Sequence, residues 1–263
     1  MKYWFALTLA ASSLFAAEER VIIAQIADGN GWKTTLTLVN TSLTTPAVVE
    51  IKFFTGTGSL LALPLVGAGM VQALQRTVPP GGVTVIETEG REGPERAGWV
   101  DIVSGLELSG GGGYTPGYPS SGPSITAGSA NVLAYAVYRQ RIAGRPDFEA
   151  TGVTVSDQTR EIVYFFDNVD NYVTSLAVAN PFNQAALVRF TFRDPTGSVV
   201  HQEEVNLAGN GHAYFGTTNR FSISKGKRGT LTLTAVQGRI ATLGLRFNPT
   251  GPFTTVPHTQ YRP

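Results

Sequence analysis

Apolar and polar residues alternate along much of the chain. Val49, Ile51 and Phe53 are separated by Glu50 and Lys52, and Val188, Phe190 and Phe192 alternate with Arg189, Thr191 and Arg193. Leu36 and Leu38 stand against Thr35 and Thr37, and Leu231 and Leu233 against Thr230, Thr232 and Thr234. Successive side chains of a strand point to opposite faces, so this period of two predicts strands with one apolar face and one face in water. A single sheet would leave the apolar face wet, and a second sheet must cover it. No segment carries a 3.6-residue apolar period of helical length, which argues against the α/β and α+β classes.

The pattern also repeats. At a constant offset of 140, RVIIAQIADGNGWKTTLTLVN (residues 20–40) lies over REIVYFFDNVDNYVTSLAVAN (160–180). Arg20, Ile22, Thr34, Leu36 and Asn40 recur as Arg160, Ile162, Thr174, Leu176 and Asn180. PAVVEIKFFTGTGS (46–59) matches AALVRFTFRDPTGS (185–198), and AGWVDIV (97–103) matches RGTLTLT (228–234). VLAYAVYR (132–139) and IATLGLRF (240–247) are each followed by a Phe-containing tail, DFEATGV and PFTTVPH. The common order of these segments predicts a tandem duplication of one domain. Each copy holds about seven strand-like runs punctuated by TGTGS, PPGG, PTGS and AGNG, the signature of an immunoglobulin-like β-sandwich. The predicted class is all-β, with two tandem sandwiches spanning residues 18–157 and 158–263 and a short join near 156–159.

The first 17 residues stand apart from this scheme: Lys2, an apolar run from Tyr3 to Ala10, and small residues up to Ala16 and Ala17 have the layout of a secretory signal. The run is too short for a membrane span, which needs roughly 20 apolar residues, and cleavage after Ala16 or Ala17 is expected. An uncleaved, membrane-tethered form is the alternative. Composition agrees with export to the periplasm, the cell surface or the medium. The chain has no cysteine, so no thiol is at risk in an oxidising compartment. Its net charge of +1 falls to zero once Lys2 leaves with the signal, and only 15% of residues are charged. Such a chain has no broad electrostatic footprint for nucleic acid or anionic lipid.

The strings RPDFEATGV, VYFFDNVDNYVTSLAVANP, NGHAYF, KRGTLT and, most distinctively, GLRFNPTGPFTTVP are similar to those of a group of uncharacterised secreted bacterial proteins with tandem Ig-like β-sandwich modules. The likeness covers most of the second copy and less of the first. The resemblance implies export and the sandwich fold, and carries over no catalytic residue.

Four places invite chemistry. The loops ADGNGW (27–32) and DNVDNY (167–172) could present oxygen ligands to Ca2+ through Asp28 and Asn30, or through Asp167 and Asp170, although neither supplies a full calcium-loop pattern. Asp, Asn and Gly are equally what a tight turn requires. A Gly/Pro/Tyr-rich insert (106–131), absent from the second copy, carries Tyr114 and Tyr118, which could contact a partner with large area and little rotamer entropy. Its four glycines lack the Gly-Lys-Ser/Thr of a phosphate loop. His201, His212 and His258 all lie in the second copy, with no HxH or HExxH pairing and no G-x-S-x-G elbow, so no catalytic residue is assigned. The basic stretches SKGKRG (224–229) and RQRIAGR (139–145) read as solvated turns.

A non-catalytic, secreted or cell-surface interaction module of adhesion type is therefore expected, with an extracellular protein or polysaccharide as partner and no cofactor beyond Ca2+. The competing expectation is a carbohydrate-binding or enzyme-accessory module using Trp32, Trp99, Tyr114 or Tyr118 as stacking surfaces. That reading requires several aromatics coplanar on one solvent face.

Overall fold

A computed structural model describes residues 19–104, 132–153 and 160–260. The signal-like segment 1–17, the insert 106–131 with Tyr114 and Tyr118, and the join at 156–159 lie outside the described residues.

The first half contains β1 (Glu19–Asp28), β2 (Trp32–Asn40), β3 (Ala47–Phe54), β4 (Leu63–Leu65), β5 (Gly69–Val71), β6 (Ala73–Val78), β7 (Val83–Glu87), β8 (Arg96–Ser104), β9 (Val132–Gln140) and β10 (Phe148–Val153). They form two four-stranded antiparallel sheets, β1-β8-β3-β6 and β10-β9-β2-β7, with β4 and β5 as a separate hairpin. The second half contains β11 (Glu161–Asp167), β12 (Val173–Ala179), β13 (Ala186–Arg193), β14 (Val199–Leu207), β15 (His212–Gly216), a one-turn helix α1 (Thr217–Arg220), β16 (Arg228–Gln237), β17 (Ala241–Phe247), β18 (Phe253–Val256) and β19 (His258–Gln260). Its sheets are β14-β13-β16-β11-β19 and β15-β12-β17-β18. With β1, β2, β3, β6, β7, β8, β9 and β10 set against β11 to β18 in order, both sheets of the first half have the same strand order as those of the second. The molecule is all-β, two sandwiches of one topology in tandem, with β19 added at one edge of the second.

Equivalent residues do equivalent work. Thr34 and Thr174 are fully buried, and each hydroxyl accepts from a backbone N–H seven residues earlier, that of Ala27 or Asp167, at 3.0 Å. Asn40 at the foot of β2 donates to the carbonyls of Thr45 (2.8 Å) and Val78 (3.2 Å) and accepts from Ser42 N–H. Asn180 at the foot of β12 donates to Gln184 (2.7 Å) and Ala208 (2.8 Å) and accepts from Phe182 N–H. Both asparagines thereby satisfy carbonyls that the strand ends leave over, and tie β2 or β12 to the chain leading into the next sheet. Gly98 and Gly229 are also equivalent. A Cβ on either would lie about 2 Å from the carbonyl oxygen of Phe54 or Arg193, so both positions accept only glycine.

The alternation read from sequence sets the cores. Val49, Ile51, Phe53, Leu36, Leu38 and Tyr138 fill the first; Val188, Phe190, Phe192, Leu176, Leu231 and Leu233 fill the second. Strand β2 follows the expected one-sided pattern, whereas β12 and β17 are buried on both faces from Leu176 to Ala179 and from Ala241 to Leu245. The outward residues of these two strands, Ala177, Ala179, Ala241, Leu243 and Leu245, pack into the cluster of the first sandwich.

Candidate functional site

The two sandwiches meet where β1 of the first crosses the outer face of β12 and β17 of the second. That face is built of small residues: Ser175, Ala177 and Ala179 on β12, with Gly216 on the neighbouring β15. In β2 the equivalent positions are Thr35, Thr37 and Val39. Small side chains let a foreign backbone come close, and polar anchors fix the approach. Trp99 donates its indole N–H to the Asn210 carbonyl at 2.7 Å, and His212 N–H donates to the Gly56 carbonyl at 3.1 Å. A Cβ on Gly58 would lie 2.0 Å from the Gly209 carbonyl oxygen. At one end of the contact Trp32 packs against Phe253 and Phe247 of the second sandwich, with ring centroids 5.3 and 6.3 Å away.

The contact does not close completely. A cavity of about 460 Å³ remains between the sandwiches. Its floor is the outer face of the second sandwich, Ser175, Ala177, Gly216, Leu243, Leu245 and Phe247, and its roof is Gln25, Ala27, Trp32 and Tyr138 of the first. Glu95, Tyr214 and Asn219, all exposed, stand at its mouth. The lining is largely apolar and aromatic with a few polar groups, the usual make-up of a small-molecule site. Gln25 is 9% exposed, and its side-chain carbonyl oxygen has no hydrogen-bond partner among the described residues. Tyr138 donates to the Gln25 backbone carbonyl at 2.8 Å, and full burial pushes its phenol well above the ordinary range. Partial burial and then the neighbouring Glu95 carboxylate raise the Tyr214 phenol. Among the described lining residues Glu95 is the only carboxylic side chain, and none is Lys, Arg or His.

The residues singled out in the sequence fall in several places. Trp32 lies at the domain contact, half-buried, and forms part of the cavity roof. Trp99 has no exposed surface and stacks on Phe54 at 4.7 Å under the second sandwich, so it cannot serve as a solvent-facing platform. The expectation of an exposed Trp99 failed because the second sandwich covers the outer face of β8. Tyr172, at the head of β12, lies beneath the Arg246 guanidinium, 3.7 Å from its ring centroid.

The loop residues divide between the two sandwiches. Asp28 is buried; one carboxylate oxygen accepts from Gly90 N–H at 2.8 Å and the other has no partner among the described residues. Asn30, between Gly29 and Gly31, has the positive φ of a tight turn, as do Asp170 and Asn171. Asp167 pairs with Arg246 at 2.8 Å and Arg228 at 3.6 Å. Asp28 and Asn30 thus belong to one turn and Asp167 and Asp170 to another, in different sandwiches. Among the described residues no three His, Cys, Asp or Glu side chains gather at one point.

The histidines are dispersed. His201 on β14 and His258 on β19 sit at opposite edges of one sheet, whereas His212 on β15 is buried at the domain contact. Burial pushes the His212 imidazole down to about 4, with the Ala24 backbone partly opposing the shift. Burial also lowers His258, which lies 5.6 Å from the Tyr164 ring.

Gln25, Glu95, Ala177 and Tyr214 went unnoticed in the sequence. The one available signal was the substitution of Ser, Ala and Ala for Thr, Thr and Val on a face that alternation alone assigns to water. No family model matches the chain, and no curated protein shows significant similarity to it.

Proposed function

We propose that the chain is a non-catalytic, exported interaction module of adhesion type, in which one sandwich has been duplicated and the two units locked into a single body. The observation that carries this reading is the outer face of β7-β2-β9. Val83 and Val85 are more than half exposed, Leu133 is 46% exposed, and Val39, Tyr135 and Val137 lie partly open beside them in register. The charges bordering this face neutralise one another: Lys33 pairs with Glu87 at 3.1 Å, and Arg139 with Glu149 at 2.6 Å. An electroneutral sheet face that sets six apolar or aromatic side chains around Thr35 and Thr37 is an expensive surface to leave in water and marks a contact for another protein. Its chemistry is indicated by the second sandwich, whose equivalent face is covered by an apolar β-surface of a sandwich of like build. The occupant is accordingly a second copy of the chain, joined through this face.

Sedimentation velocity of residues 18–263 across micromolar to millimolar concentration tests the reading. Reversible self-association is expected, and it should disappear in the Val83→Lys/Val85→Lys variant without loss of thermal stability. A monomer at every concentration, or association unchanged by the two lysines, would contradict it. A sugar-stacking role draws no support from Trp99, which lies under the second sandwich, or from Trp32, which packs on Phe253.

A further inference from the structure

We infer that the cavity between the sandwiches is a binding site for a small organic cation, an amine carried on a flat aromatic or short aliphatic body. Four observations lead there. The volume of about 460 Å³ falls within the range of small-molecule pockets, roughly 300–1,000 Å³. The walls that an apolar body would touch, Trp32, Leu243, Leu245 and Phe247, come from both sandwiches and include two aromatic rings suited to a flat or cationic group. Gln25 lines the cavity and is nine-tenths buried, and its side-chain carbonyl oxygen has no hydrogen-bond partner among the described residues, so an ammonium N–H would supply the missing donor once the side chain turns toward the cavity. The charge at the mouth is the Glu95 carboxylate, and no described lining residue is basic. A carboxylate or phosphate ligand would meet repulsion at Glu95, whereas a protonated amine would be attracted there and could donate to the Gln25 carbonyl.

The floor explains why the site exists in one sandwich and not in the other. Ala177 occupies the position of Thr37, and Gly216 stands where the first sandwich has Glu87, so space is kept on β12 and β15 that the side chains on β2 and β7 would fill. The site depends on the two sandwiches being joined, and it stands independently of the self-association proposed through the outer face of β7-β2-β9.

Isothermal titration calorimetry with three probes of one shape, phenethylamine, 3-phenylpropionate and 2-phenylethanol, tests the inference on the protein spanning residues 18–263. The amine is expected to bind with one site per chain, the alcohol about tenfold more weakly, and the carboxylate not at all, a charge-assisted hydrogen bond being roughly twice as strong as a neutral one. Glu95→Gln, a change at an exposed residue that leaves folding intact, should weaken the amine about tenfold and leave the alcohol unchanged. Ala177→Leu, which fills the floor, should abolish binding of both, with a thermal melt confirming that the variant is folded. Absence of amine binding, equal binding of all three probes, or amine binding that survives both substitutions would overturn the inference and reduce the cavity to a gap in domain packing.

Discussion

Val39 and Ala179 occupy the same place, next to the foot asparagine, in the equivalent strands of two sandwiches with one topology. Val39 is partly open to solvent, and Ala179 has no exposed surface. The inward residues of the two strands agree: Leu36 with Leu176, Leu38 with Val178, Thr34 with Thr174, all buried. The outward residues differ, Lys33, Thr35, Thr37 and Val39 against Val173, Ser175, Ala177 and Ala179. The inward half therefore specifies the sandwich, and the outward half specifies what lies over it. On β12 the outward half is mostly small and apolar and receives the first sandwich, whereas on β2 it is partly open among the described residues.

The largest expected effect comes from a charge on the covered face. Ala179→Lys should destabilise the protein by roughly 3 kcal/mol or more, since an unpaired ammonium would be buried at the contact. Val39→Lys at the equivalent open position should stay within about 0.5 kcal/mol. Urea unfolding of the pair checks both, and equal losses would erase the distinction between the faces.

Next comes His212, whose equivalent in the first sandwich is Val83. The folded imidazole titrates near 4 and the unfolded one near its ordinary 6.5, so the unfolded chain takes up the proton first as pH falls. Stability is then complete above about pH 6.5 and declines toward about pH 4, by at most about 3 kcal/mol from this residue. His212→Val should flatten most of that slope in urea titrations run at stepped pH. His258, depressed by burial in the same direction, leaves a smaller remainder.

The shared features should respond alike. Asn40→Ala and Asn180→Ala each strand two carbonyls and a backbone N–H, and each is expected to cost about 2 kcal/mol. A marked inequality in chemical denaturation would show that one foot is dispensable. The smallest effect is expected at the free face, where Val85→Lys should change stability by no more than about 0.5 kcal/mol while altering association.

These differences explain how far the sequence could be read. Strand alternation at Val49–Phe53 and Val188–Phe192 gave the two cores, because a side chain's facing depends on its own strand. The repeated Asn40 and Asn180 marked a repeated bond pattern for the same local reason. The docking of one sandwich on the other depends on residues far apart in the chain. Thus Trp99 read as an available aromatic although Asn210, 111 positions later, holds its indole. The cavity was hidden for the same cause. Its roof and floor come from different sandwiches, and its Gln25 sits where β1 slips register against β8, between Ile23 and Ile26. Among the described residues β19 has no counterpart in the first sandwich, and the repeat therefore gave no hint of it.

Because the chain has no cysteine, single thiols can be placed at the two equivalent positions and their reactivity compared under native conditions. Val39→Cys is expected to react with a soluble maleimide at close to the rate of the unfolded chain. Ala179→Cys should be protected by several orders of magnitude and react only when the sandwiches part or unfold. Comparable native rates at the two positions would contradict the picture of one covered and one open face.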